Sequence, residues 1–447
     1  MRRTLRALAL TLGLVLPTTL SSVSGGSTVP DADGVAPAAA IERATSHSAA
    51  TDPPRRRGSL DLPRIPWEGG SAYWRQFPYA DRAGWDKRSF FPIVSWFNSM
   101  STDAEARYDK SLGLNTYVGM YEGTPYRLFA DHDLYWIGKQ LNSTFKDDST
   151  NWVGNFLDDE VDGSHELQEG FDYLQSLEDQ YEGNGRFNYA NYTQIVMSSD
   201  LDDRYAEQYV NDYTDTVSLD MYYYTISFCD WEPWRMPYIT PVEQRYCRTS
   251  SSYGKSVESL RKRDAADGRR QPIWNFVENL NGGPGEGPWL RNIAPDELRG
   301  AVMSSVINEA RGIVYFNQSW TGPCQSGNVF RDSMKPGFCG AAQVAAAKKV
   351  NLQIQRLARV INTQSYRWKF GKGLDTMLKS KGRNVFVFAM VDGSSDPGAR
   401  RFKLPAGVAG RTAKVMFEGR SVPVSARGVF RDSFAQESSY HIYRIRR

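Results

Sequence analysis

Eight short apolar runs, each followed by a helix-like run, recur between residues 90 and 317 of this 447-residue chain. They fall at 90–97, 115–121, 134–139, 152–157, 194–198, 216–222, 272–277 and 312–317. Alternation of this kind builds parallel β-α units, and eight is the number that closes a (β/α)8 TIM barrel. The intervening segments carry helix signals of their own. Thr102 with Glu105 reads as a capped start, Leu112-Gly113 as a helix end, Ser164 as the cap of a helix at 165–177, and Pro295-Asp296-Glu297 as a first turn. A periodic run at 341–360 forms the last helix.

After Asn362 the pattern changes to alternating strands, at 384–391, 401–404, 412–417 and 440–445, with Asp392-Gly393 and Glu418-Gly419 as turns. The expected architecture is therefore α/β, a catalytic barrel at 59–362 followed by a small C-terminal antiparallel β-sandwich at 363–447. The stretch up to residue 87, with Trp67, Tyr73, Trp74, Phe77 and Trp85, reads as an arm packed across the barrel.

The N-terminus has Arg2, Arg3 and Arg6, then an apolar run at 7–16, then small residues. That order is a Sec-type signal peptide, expected at 1–27, and the run is too short to cross a bilayer. A polar stretch rich in Ala, Ser and Pro at 28–58 reads as a disordered linker. The expected product is secreted and extracellular, without a membrane span. Its four cysteines, Cys229, Cys247, Cys324 and Cys339, then read as two disulfides, and proximity favours Cys229 with Cys247 and Cys324 with Cys339 among three pairings. The C-x2-C spacing of a zinc ribbon is missing.

Lys and Arg number 54 against 51 Asp and Glu, a formal +3, which gives no case for a nucleic-acid partner. Gly282 to Gly287 lacks the Lys-Ser/Thr ending of a phosphate loop, no serine-centred nucleophile elbow is present, and the acids near Asp158 lack the calcium-loop spacing. His132 and His165 have no second histidine at metal-ligand spacing. No cofactor and no metal is expected, and the chain is read as a monomer.

Barrel enzymes work at the C-terminal ends of their strands. There this sequence places Trp96 and Asn98, Tyr121 and Glu122, Asp158, Asp159 and Glu160, Asp200, then Asp220, Tyr222 and Tyr224, Glu278 and Asn279, and Asn317 and Trp320. Strand alternation puts Trp274, Phe276 and Glu278 on one face, and Asp158 with Glu160 on another face if the extended chain reaches that far, with Asp159 pointing away. Adjacent acids repel, which raises the pKa of a proton donor among them.

The stretches F-L-D-D-E at 156–160 and P-I-W-N-F-V-E-N at 272–279 resemble those of the retaining glycoside hydrolases of the (β/α)8 clan that carries its acid/base on strand 4 and its nucleophile on strand 7. The resemblance covers roughly residues 90–362, and the appended sandwich is similar to accessory domains found in that clan. It implies Glu160 as acid/base, Glu278 as nucleophile, Tyr222 or Tyr224 as the residue orienting the nucleophile, and Trp320 as a stacking platform. The clan's usual asparagine before the strand-4 glutamate is Asp159 here, which alters the contact to the sugar's 2-hydroxyl. The implied activity is double-displacement cleavage of a polysaccharide or oligosaccharide, endo-acting if the aromatic loops line a long cleft. The rival expectations are a catalytically silent carbohydrate-binding protein on the same fold and a barrel enzyme of different chemistry.

Overall fold

A computed structural model describes residues 59–283 and 289–447. The expected signal peptide and linker, and most of the glycine-rich loop near Gly287, lie outside these residues.

Eight parallel strands form the barrel: β1 Ile93–Asn98, β2 Thr116–Met120, β3 Tyr135–Ile137, β4 Trp152–Asp159, β5 Phe187–Tyr192, β6 Thr216–Leu219, β7 Trp274–Glu278 and β8 Gly312–Phe316. Their order is β6-β5-β4-β3-β2-β1-β8-β7, and a parallel bridge between Val217 and Ile273 joins the two ends into a closed sheet. Every residue of β6, β7 and β8 is buried, because helices cover the outside and side chains fill the inside.

Seven of the strands lie where the apolar runs place them. The fifth does not: residues 194–197 form a 3-10 helix, and the strand is Phe187–Tyr192. Its sequence, F-N-Y-A-N-Y, mixes asparagines with aromatics, and the asparagines concealed a strand that is buried at five of its six positions. Asp200, placed at the end of the expected strand, instead lies in the following turn, paired with Arg235 at 2.8 Å.

Helix boundaries follow local chemistry. Thr102 accepts from the Glu105 N–H at 3.3 Å while Glu105 accepts from the Thr102 N–H at 3.1 Å, the reciprocal cap expected of that motif. The helix expected to start after Ser164 begins at Leu167, and Ser164 closes a one-turn segment by donating to the Glu160 carbonyl at 2.8 Å.

The arm plugs the barrel floor. Trp74 lies 4.8 Å from Trp85, 4.9 Å from Phe187 and 6.4 Å from Trp274, so aromatic rings seal the N-terminal end of the strands.

Beyond the helix Ala341–Ile361, six strands pair as β14-β13-β16-β11-β10-β9: β9 Ser365–Tyr366, β10 Leu374–Lys381, β11 Asn384–Val391, β13 Thr412–Val415, β14 Arg420–Pro423 and β16 Tyr440–Arg446. A separate antiparallel pair, β12 Gly398–Lys403 with β15 Val429–Phe434, packs on this sheet through Phe402 and Phe430, which lie 5.2 and 4.9 Å from Tyr443. β11 shows why its sequence reads as an unbroken apolar run. Val385, Val387, Ala389 and Val391 enter the sandwich core, whereas Phe386, Phe388 and Met390 enter the barrel's core.

Charges are also buried between the two parts. Lys379 of β10 lies 3.4 Å from Glu309, Glu309 lies 2.7 Å from Arg311, and Arg311 lies 2.9 Å from Glu68 of the arm. Both expected disulfides are present, Cys229–Cys247 with a Cα separation of 5.4 Å and Cys324–Cys339 with 5.7 Å. They brace the segments after β6 and β8.

Candidate active site

The acids of the F-L-D-D-E stretch meet a break in strand geometry. Phe156 pairs with Tyr189, but Asp159 pairs with Asn191, so three steps along β4 oppose two along β5. Such a bulge re-aims the side chains beyond it. Asp158 is thereby turned to the helix Leu167–Tyr181, where Tyr173 donates to it at 2.6 Å, and Asp159 accepts from Asn191 of β5 at 2.9 Å. Glu160 then leaves the strand in the left-handed region at φ 54°. The simple alternation that paired Asp158 with Glu160 therefore fails, and Asp159 joins Glu160 instead.

From β6, Asp220 completes the cluster. Its carboxyl lies close to those of Glu160 and Asp159, and its Oδ1 is buried with no hydrogen-bond partner among the described residues. Burial, then Glu160 and Asp159, push Asp220 well above the usual carboxylate range. Burial and Glu160 push Asp159 up to about 7. Beneath it Asp162 accepts from the Thr193 N–H at 2.9 Å and hydroxyl at 2.7 Å, and burial lifts it to about 6.

Glu278, at the end of β7, has no exposed surface. Tyr253 donates to its carboxylate, 2.7 Å from both oxygens, and Thr225 donates at 3.2 Å. Burial still raises it to about 7. The tyrosine bonded to Glu278 is thus Tyr253 rather than Tyr222 or Tyr224. Tyr222 points its hydroxyl to Asp220 at 3.5 Å and packs on Phe316 at 5.3 Å, whereas Tyr224 turns away to Glu437 of the β domain at 2.5 Å and Ser250 at 2.7 Å. Tyr253 sits in a serine-rich helix start, T-S-S-S-Y, which carries no catalytic signal in the sequence.

The remaining expected residues separate into floor and rim. Trp96 is buried, 5.2 Å from both Phe156 and Phe276, and floors the site. Asn279 is buried with both side-chain polar atoms unpartnered among the described residues. Glu122 is exposed in the loop after β2. Trp320 is 46% exposed after β8.

Among the described residues, eight large apolar side chains stand exposed. Phe97 lies near the end of β1, and six others, Tyr121, Ile195, Trp231, Leu290, Trp320 and Met334, lie in segments that follow barrel strands. Phe97 holds φ 58° at the end of β1, a conformation costly for an aromatic residue. A cavity of about 680 Å3 opens instead at the floor end, lined by Tyr73, Asp215, Asp264 and Arg269. No group of three or more His, Cys, Asp or Glu among the described residues is arranged to hold a metal ion.

No protein-family model matches the chain, and the search of curated proteins finds none similar in sequence. Solved structures with a similar course of chain include a GH30 endoxylanase from Clostridium papyrosolvens, 8% identical, covering 80% of this chain and 97% of that one with a TM-score of 0.41. A family 51 α-L-arabinofuranosidase from Bifidobacterium longum is 9% identical, covering 80% and 96%, with a TM-score of 0.42. A maltogenic α-amylase from Thermotoga neapolitana is 9% identical, covering 81% and 99%, with a TM-score of 0.44. At such values the chemistry has to be read from this chain's own residues.

Proposed function

We propose that this protein is a secreted glycoside hydrolase whose reaction centre is the carboxyl cluster at the C-terminal mouth of the barrel. The observation that carries this reading is the convergence of Asp159, Glu160 and Asp220 from β4 and β6, ringed by exposed aromatic side chains. Acids held protonated near neutrality supply the proton that a glycosidic oxygen needs, and flat rings suit the apolar faces of sugars. Two disulfides and the absence of a membrane-crossing helix among the described residues are compatible with an extracellular site of action.

Glu160 is the acid/base. Asp220, buried beside it and held protonated, donates a hydrogen bond to the Glu160 carboxylate once the Glu160 proton has left. In the double-displacement route Glu278 attacks the anomeric carbon as the glycosidic C–O bond breaks and Glu160 protonates the leaving oxygen; water deprotonated by Glu160 then displaces Glu278. Tyr253 and Thr225 fix the direction of attack. The substrate is a polysaccharide or oligosaccharide, and exposed rings at the ends of four different strands, Phe97 of β1, Tyr121 after β2, Trp231 after β6 and Trp320 after β8, favour internal cleavage of a long chain.

A second reading rests on the complete burial of Glu278. If Tyr253 and Thr225 simply satisfy a strand-end acid, a group of the substrate itself makes the attack, as in substrate-assisted hydrolysis, and Asp159 orients that group. Reducing-end release measured over a glycan panel separates these readings. Glu160→Gln should lower kcat by about 100-fold or more in both. Loss of turnover in Glu278→Gln supports double displacement, whereas near-normal turnover moves the role to the substrate. No release from any glycan by the unaltered protein would sink the hydrolase reading itself.

A further inference from the structure

The near-zero net charge conceals a separation of charge along the chain. Residues 363–447 hold 17 Lys and Arg against 6 Asp and Glu, a net +11, whereas residues 59–362 hold 30 against 41, a net −11. Charge biased this far within one domain bears on its partners rather than its fold.

The excess is organised on the outer side of the β12–β15 pair. Arg401 stands directly opposite Arg431 in the ladder, and both are exposed. The next pair in register, Phe402 and Phe430, turns inward and stacks at 4.5 Å, so Arg401, Lys403 and Arg431 share the outward face. Like charges placed directly opposite destabilise a sheet, so this arrangement carries a cost that folding does not explain.

The segment leading into β10 extends the same face. The Lys403 N–H donates to the Phe370 carbonyl at 2.7 Å, and the Trp368 indole N–H donates to the Lys403 carbonyl at 2.7 Å. Arg367, Lys369 and Lys372, all exposed, are thereby set beside Arg401 and Lys403, and with Trp368 they line a cavity of about 650 Å3. Four of the domain's six acids are engaged elsewhere: Glu418 and Asp432 pair with Arg420, Asp396 pairs with Arg245, and Glu437 accepts from Tyr224. The other two, Asp375 and Asp392, line the same cavity, where Asp375 is half-buried and accepts from Asn308 at 2.6 Å and Asp392 accepts from the Ser394 hydroxyl at 2.9 Å.

We infer that this face of the β domain is a binding site for an anionic glycan, a sugar polymer bearing carboxylate or phosphate groups. Spaced guanidinium and ammonium groups recognise the repeated anions, and the Trp368 ring among them offers a platform for the sugar between two charges. The negative barrel repels the same polymer, which confines the contact to the β domain. This site stands independently of the reaction at the barrel mouth and would tether the enzyme to a charged matrix.

The test is affinity electrophoresis of the full chain in gels containing polygalacturonate, poly(glycerol phosphate) or neutral dextran, repeated at rising salt. Retardation by either anionic polymer, absent with dextran and weakening as salt rises, is expected. The triple variant Arg401→Gln, Lys403→Gln, Arg431→Gln should bind about tenfold more weakly with a Tm no lower than the parent's. Equal retardation of parent and variant, or none by both anionic polymers, overturns the proposal. So does binding to DNA or phosphatidylglycerol vesicles without binding to either anionic glycan, which would assign the face to a different polyanion. Retardation is read without catalysis, so its outcome is separate from that of the glycan-panel assay.

Discussion

The Tyr253 hydroxyl stands 2.7 Å from both carboxylate oxygens of Glu278, although the two residues belong to a helix start and a strand end 25 positions apart. A single O–H facing both oxygens stabilises the ionised form and fixes the plane of the carboxylate. Burial works against it, and the balance leaves Glu278 at about 7.

Tyr253→Phe tests that balance. It removes the donor without opening a cavity, so the Glu278 pKa should rise further, and stability should fall by about 1.5–3 kcal/mol, the range for a hydrogen bond to a charged group. If Glu278 must be ionised to react, the acidic limb of the kcat/KM profile moves to higher pH. An unmoved limb, with the same loss of stability, would leave Tyr253 a structural role only.

The same acids set the pH dependence of folding. Asp159 rises from 3.8 to about 7 and Glu278 from 4.5 to about 7, so the folded form holds these protons more tightly than the unfolded chain does. Their contribution is therefore full below about pH 4 and is lost as pH rises toward 7. Between about pH 5 and 7.5 the Tm should fall, and Asp159→Asn with Glu278→Gln should flatten that slope. A Tm that climbs over this window in the parent, or a slope unchanged in the variant, would mean that neither acid is protonated in the fold.

Much of this arrangement was legible in the sequence. The eightfold alternation, the antiparallel tail and both cysteine pairs follow from periodicity, turn chemistry and proximity. β5 did not, because its buried asparagines and tyrosines serve hydrogen bonds, such as Asn191 to Asp159, rather than an apolar pattern. The convergence of Asp159 with Glu160 was hidden for a different reason. It depends on a bulge, an extra residue whose presence strand alternation cannot reveal. Tyr253 was hidden because only the closed barrel brings its helix start to the end of β7. The paired arginines Arg401 and Arg431 were in view, but summing charge over the whole chain cancelled them against the barrel.

The buried ion network joining barrel and β domain makes a third prediction. Burial presses Lys379 down to about 7, while against its own burial Glu309 is held at about 2 by Lys379 and Arg311. Removing one partner leaves a carboxylate short of compensation in a closed interior. Lys379→Met should cost about 3–5 kcal/mol, read as a lower urea midpoint. The double variant Lys379→Met, Glu309→Gln should recover part of it, because the uncompensated charge is gone. A single variant as stable as the parent would show that water reaches Glu309.

Trp320 supplies the last prediction, which depends on the proposed hydrolase activity. Its ring is 46% exposed on the loop after β8, which Cys324–Cys339 braces, and it lies outside the carboxyl cluster. A ring exposed there contributes to binding rather than to chemistry. Trp320→Ala should therefore raise KM for a polymeric substrate roughly fivefold, the equivalent of about 1 kcal/mol for one stacked ring, and leave kcat near the parent's. Because stacking on a distant sugar unit stabilises ground and transition states alike, the loss should vanish on substrates too short to reach the ring. An equal loss on the shortest cleaved substrate would place Trp320 against the reacting sugar, and a fall in kcat alone would mean that it shapes the cluster instead.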